Sequence, residues 1–178
     1  MNKENGLQLE HDVADTSLKL SKTIHRIFLM LYFQFAFYWG VVAVGMLLNY
    51  YYVVPSTLQP TFVSIVFQIV TTPLLVAHVA LGLASTAMSV PVIILARRVG
   101  GLTPVVWLHV GAILVRVVGF VGGPLFLYNS TTSIDNVFSA GLSSFAMATA
   151  LIVAVICTFM SRIFIVREDV RIKYGLFP

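Results

Sequence analysis

Few side chains in this sequence could do chemistry, and His78, His109 and Arg116 lead them, each set inside a long apolar run. Ionisable groups are costly to place away from water, and where they persist they mark function more often than they fill space. Arg116 keeps its charge at physiological pH, so it requires an acceptor or an anion beside it. No Asp or Glu lies within the apolar runs, which excludes a salt bridge inside them. Its stabilisation is therefore expected from backbone carbonyls and water, from Asn49 or Gln68, from a carboxylate of a neighbouring subunit, or from a ligand such as a haem propionate.

His109 stands seven residues before Arg116, nearly the same angle on a helix and about 10 Å along it. His78, Gly82, Ser85 and Ser89 fall at i, i+4, i+7 and i+11. That seam permits close helix packing or admits a flat cofactor. Two histidines in neighbouring apolar segments suggest bis-histidine ligation of haem b, with Arg116 near a propionate. Depth opposes a shared iron, because helices starting at Pro73 and Pro104 separate the two histidines by about 15 Å along the membrane normal. Three arrangements answer this: His78 alone on a haem, a separate group on each histidine, or histidines that only hydrogen-bond between helices. His78-x-x-x-Gly82 in a four-span chain resembles small b-type cytochrome membrane subunits, a likeness that covers one helix and implies haem b.

Other chemistries are not expected. Gly100-Gly101 and Gly122-Gly123 match no phosphate-cradling loop, and HExxH, GxSxG and cysteine clusters are absent from the sequence. Cys157 is the single cysteine, so it forms no internal disulfide. Self-contained hydrolysis or phosphoryl transfer is thereby set aside, and without an inverted repeat there is little material for alternating access.

The elements that must hold these groups follow from composition. Of 178 residues, 58% are hydrophobic and only 10% charged, against roughly 25% charged in a soluble domain. Too little polar surface exists to solvate a globule of this size. The expected fold is an all-α integral membrane protein, an antiparallel four-transmembrane-helix bundle with both termini cytoplasmic, multi-pass in the cell or plasma membrane. A span needs about 20 apolar residues, and four segments qualify: 27–49, 73–96, 104–128 and 138–166. Residues 1–26 read as a cytoplasmic tail, either solvated or forming a short interfacial helix through Leu18, Leu20 and Ile24 capped by Asp15-Thr16-Ser17. Residues 167–178 read as a second cytoplasmic tail.

Thr72-Pro73 and Thr103-Pro104 look like helix starts, with threonine as N-cap and proline at the first helical position. Pro91 predicts a bend in the second span. Phe62 to Val70 remains as a short apolar segment that lies in the interface, re-enters the bilayer or joins span two. Stripes of Gly, Ala and Ser, among them Ser143, Ala146 and Ala150, suit close packing. Gln34 and Gln68 are expected to bond between helices.

Orientation follows from Lys and Arg. Lys19, Lys22 and Arg26 precede span one, Arg97 and Arg98 join spans two and three, and Arg162, Arg167, Arg171 and Lys173 close the chain, whereas loops 50–60 and 129–137 carry only Asp135. Cytoplasmic loops collect basic residues. The net charge of +4 then results from topology, with some attraction to anionic lipid, and nucleic acid is not an expected partner. Tyr50, Tyr51, Tyr52 and Tyr128 form an outer aromatic belt, Trp107 sits near the inner edge, and Asn129-Ser130-Thr131 is a sequon on the outer side.

Three functions remain open. The first is a redox or respiratory-type subunit that binds haem b or contacts quinone through His78, His109 and Arg116. The second is a cofactor-free accessory or scaffold subunit, partnered by other membrane subunits or by its own copies. The third is an oligomeric ion or proton pathway. At most the chain would transfer electrons, since no complete catalytic motif is present.

Overall fold

A computed structural model describes residues 3–52, 61–130 and 137–174, and every regular element among them is helical. In chain order these are α1 (Lys3–Tyr51), α2 (Phe62–Thr71), α3 (Pro73–Ala87), α4 (Ser89–Ala96), a 3-10 turn at Gly100–Leu102, α5 (Thr103–Ser130) and α6 (Val137–Lys173). Among the described residues, four stretches are long and apolar enough to cross a membrane: Asp15–Tyr51, Pro73–Ala96, Gly100–Tyr128 and Gly141–Lys173.

Several boundaries differ from the sequence reading. The first helix begins at Lys3 rather than Ile27, so the N-terminal segment continues span one as helix. No proline interrupts this stretch, and Leu20, Ile24, Ile27 and Leu31 keep one apolar face in phase across the expected boundary. The last helix likewise continues to Lys173, well beyond Val166, and Lys173–Asp169 and Arg171–Glu168 ion pairs brace its final turns. Residues 53–60, Thr131 of the sequon, Asp135 and the end of the C-terminal tail lie outside the described residues.

The second span breaks one turn before Pro91. Proline has no N–H for the carbonyl four residues back, and its ring crowds that position. That residue is Ala87, where α3 ends; Met88 forms the joint, its N–H bonding Ala84 O and Thr86 O. Pro124, by contrast, sits within α5, which runs on to Ser130. Thr72 occupies the N-cap position of α3 with Pro73 after it, but its hydroxyl makes no cap bond and instead accepts from Gln68 Nε2 at 3.1 Å. Thr103 is already the first residue of α5. The short segment at Phe62 is a helix of its own, opened by a reciprocal Thr61–Ser64 capping box.

Close approaches fix the neighbours. Against α1, a Cβ on Gly40 would stand 3.1 Å from Leu81, and one on Gly45 would stand 3.3 Å from the His78 ring. Between α5 and α6, Gly119 faces Ala150, and a Cβ on Gly122 would come within 2.8 Å of Met147. Small residues thus let helices meet where lipid offers no hydrophobic drive to bring them together.

One end of the bundle is an apolar cluster of Ile24, Ile27, Val92, Ala96, Leu102 and Ile165, which joins α1, α4, the 3-10 turn and α6. Arg26, Arg97, Arg98 and Arg167 are exposed around it. Farther along the helices the usual pattern reverses: Trp39, Val66, Leu114, Val118 and Phe159 face outward, while Gln34, His109, Arg116 and Thr158 are buried. An apolar exterior over a polar interior suits hydrocarbon rather than water as solvent.

Candidate functional site

Six buried polar groups form one cluster to which all four long apolar stretches contribute. Gln34 and Tyr38 come from α1, Ser89 from α4, His109 and Arg116 from α5, and Thr158 from α6. Helical spacing explains the pairs: four residues separate Gln34 from Tyr38 and seven separate His109 from Arg116, so each pair projects from one face.

Ser89 is the hub. Its Oγ accepts from Arg116 Nη1 at 2.7 Å and from Gln34 Nε2 at 2.8 Å, and lies 3.3 Å from His109 Nδ1. A hydroxyl has two acceptor lone pairs and one proton. With both lone pairs engaged, the Ser89 proton is directed at His109 Nδ1, and the imidazole then carries its own proton on Nε2. Gln34 Nε2 also donates to Ser85 O at 3.0 Å. The other guanidinium branch of Arg116 donates to Tyr38 Oη, and the guanidinium carbon sits 5.2 Å from the Tyr38 ring centroid. Tyr38 Oη continues the chain to Thr158 Oγ1 at 3.1 Å, and Thr158 donates to Ala154 O at 2.9 Å.

The cluster is sealed and electrostatically one-sided. Gln34, Ser89, His109 and Thr158 are 0% exposed and Arg116 is 7% exposed. Hydroxyl dipoles and the face of an aromatic ring solvate the cation, with no carboxylate among the hydrogen-bond partners described for it. Three buried atoms of this cluster have no partner among the described residues: Arg116 Nε, His109 Nε2 and Gln34 Oε1. Unpartnered donors around a positive charge fit an oxygen acceptor, with Gln34 Oε1 available to take a proton donor.

Of the residues singled out by sequence, the fold joins His109 and Arg116 about Ser89 and leaves His78 elsewhere. His78 packs on Gly45, and its buried Nδ1 has no hydrogen-bond partner among the described residues. Eleven residues separate it from Ser89, about 16 Å along the axis. The two histidines are on different levels, as their spacing implied. Neither Asn49 nor Gln68 meets Arg116; Gln68 bonds Thr72 at the end of its own helix. Gln34 does bond between helices. Tyr38 and Thr158 are not among the sequence-predicted partners, and Ser89 figures in the sequence only within a seam that permits close packing or admits a flat cofactor. Comparison with protein-family models, curated proteins and solved structures finds no match to this chain.

Proposed function

We propose that the chain is a small polytopic subunit of a redox-type membrane assembly, in which Arg116 and His109 offer hydrogen bonds to an oxygen of a membrane-soluble quinone or of a haem b propionate. The observation that carries this reading is the set of unpartnered buried atoms, Arg116 Nε, His109 Nε2 and Gln34 Oε1, in a cationic centre. A charge at that depth costs about 2.5 kcal/mol or more, which an anionic or carbonyl oxygen would offset. A quinol hydroxyl would in addition donate to Gln34 Oε1. His109 with its proton on Nε2 suits a donor role toward oxygen rather than ligation of iron. His78 stands apart in this reading.

In this reading the spans run antiparallel, which for α1 and α3 is supported by Gly40 and Gly45 meeting Leu81 and His78 in descending order. The same reading makes the shared basic end cytoplasmic by the positive-inside rule, with both termini inside and the chain in the cell or plasma membrane.

A second reading, a cofactor-free accessory or scaffold subunit, is favoured by a different observation. Both terminal nitrogens of Arg116 already have partners, Ser89 and Tyr38, within this chain. Here the centre would serve to lock four helices in register.

Purification in mild detergent, solvent extraction of bound quinone and an absorption spectrum separate these readings. Arg116→Leu removes the charge, and Arg116→Lys keeps it but loses the planar fork. Both are expected to lower retained quinone or haem about tenfold or more, the equivalent of a charge-assisted hydrogen bond. A Leu variant that melts higher and loses nothing ends the redox reading. Recovery within a larger particle without quinone or a Soret band favours the accessory one.

A further inference from the structure

The elbow between α4 and α5 lies at the basic end, away from the polar centre. A cavity of about 260 Å³ opens there, floored by buried Ala96, Val99 and Val106 and rimmed by exposed Arg97, Thr103 and Trp107. The rim offers three kinds of donor: a guanidinium, a hydroxyl and an indole N–H. Arg97 and Arg98 make no side-chain hydrogen bond or ion pair among the described residues. Glu168, whose carboxylate meets Gly101 nearby, is paired with Arg171 at 3.0 Å and does not line the cavity.

From the rim an apolar track leads away along α5. Trp107, Leu114, Val118, Val121 and Leu125 are all exposed, and their spacings of seven, four, three and four residues hold them on one helical face. The cavity therefore joins a cationic, donor-rich head to an apolar stripe of membrane length. Free phosphate would use the head alone. A molecule with a phosphodiester at one end and acyl chains at the other uses both.

We propose that this elbow binds an anionic phospholipid, its phosphodiester held by Arg97, Thr103 and Trp107 and its chains laid on the α5 stripe. The inference is independent of the redox reading and needs only that α4 and α5 cross the membrane. It ascribes to one built position what basic juxtamembrane residues otherwise provide diffusely.

The test places the full chain in nanodiscs of phosphatidylcholine with a minority of phosphatidylglycerol and counts the lipids retained by native mass spectrometry. Wild type is expected to keep phosphatidylglycerol in preference to phosphatidylcholine. Arg97→Gln should lower that retention about fivefold, which is ~1 kcal/mol, while Arg167→Gln, outside the cavity, leaves it unchanged. Thr103→Val, which removes one donor without altering charge, should lower it by a smaller factor and serves if Arg97→Gln does not fold. No preference in wild type, unchanged retention in the variants, or equal loss in Arg167→Gln each overturns the site. Displacement of the lipid by glycerol phosphate as readily as by phosphatidylglycerol assigns the cavity to free phosphate and overturns the lipid proposal.

Discussion

At one end of the bundle, Ile24, Ile27, Val92, Ala96, Leu102 and Ile165 close on one another as an apolar cluster. Two turns farther along α1 and α6, one turn along α4 and one to three turns along α5, Gln34, Tyr38, Ser89, His109, Arg116 and Thr158 meet through hydrogen bonds. The two regions use the same helices and obey different physics. Apolar side chains in a membrane have an apolar alternative in lipid, so away from the water boundary their meeting gains mainly van der Waals contact. Buried polar groups have no such alternative, and each one stranded loses its bond outright. The polar centre is therefore the more directional of the two and the less tolerant of small changes.

Ser89→Ala should break this comparison most visibly. It strands a guanidinium branch, one amide bond of Gln34 and the His109 contact together. Interhelical bonds between neutral groups average about 0.6 kcal/mol in membranes, and a bond from a charged group is worth about 1.5–3 kcal/mol. The expected loss is about 3 kcal/mol, read by reversible unfolding in mixed micelles. A loss below about 1 kcal/mol would mean that the centre repacks freely and does not set the helix register.

Leu102→Ala probes the apolar end. Leu102 is fully buried where the 3-10 turn meets α6. Deleting a buried leucine side chain leaves a cavity and costs 2–5 kcal/mol in water-soluble cores. Here part of the surroundings is lipid-like, and about 2 kcal/mol is expected in the same unfolding assay. A loss exceeding that of Ser89→Ala would reverse the ranking of the two regions.

The spans themselves were legible because they depend on local quantities: run length, proline position and the absence of charge. Pro91 announced a break, and only its offset to Met88 required the geometry of the i−4 carbonyl. The N-terminal extension of α1 was less legible, since charged residues read as tail even when a helical face continues beneath them. The polar centre was half legible. Arg116 and His109 share a face by spacing alone, and Gln34 with Tyr38 does too. What joins the pairs is the relative height and rotation of helices far apart in sequence: 78 residues separate Tyr38 from Arg116. Neutral hydroxyls such as those of Tyr38, Ser89 and Thr158 also carry no charge that would mark them in the sequence as partners of a cation. One polar pair in each span at helical spacing, with Ser85 and Ser89 in span two and Thr158 and Ser161 in span four, was the available signal.

Ser85→Ala sharpens the comparison from its weakest side. Ser85 is 2% exposed, lies one turn from Ser89 and carries the same hydroxyl. Burial alone would assign the two serines equal weight. Their partners differ. The Ser85 hydroxyl bonds back to Gly82 O at 2.8 Å within its own helix, and Thr86 Oγ1 donates to that carbonyl as well at 2.9 Å. What Gln34 uses is the Ser85 backbone carbonyl, which alanine keeps. No buried group is stranded, a bond of the kind that slightly weakens helices disappears, and alanine is the better helix former. The expected change is within about 0.5 kcal/mol, against about 3 kcal/mol for Ser89→Ala. Equal losses at both positions would mean that burial, rather than the hydrogen bonds reaching across to Arg116 and His109, decides the stability of this centre.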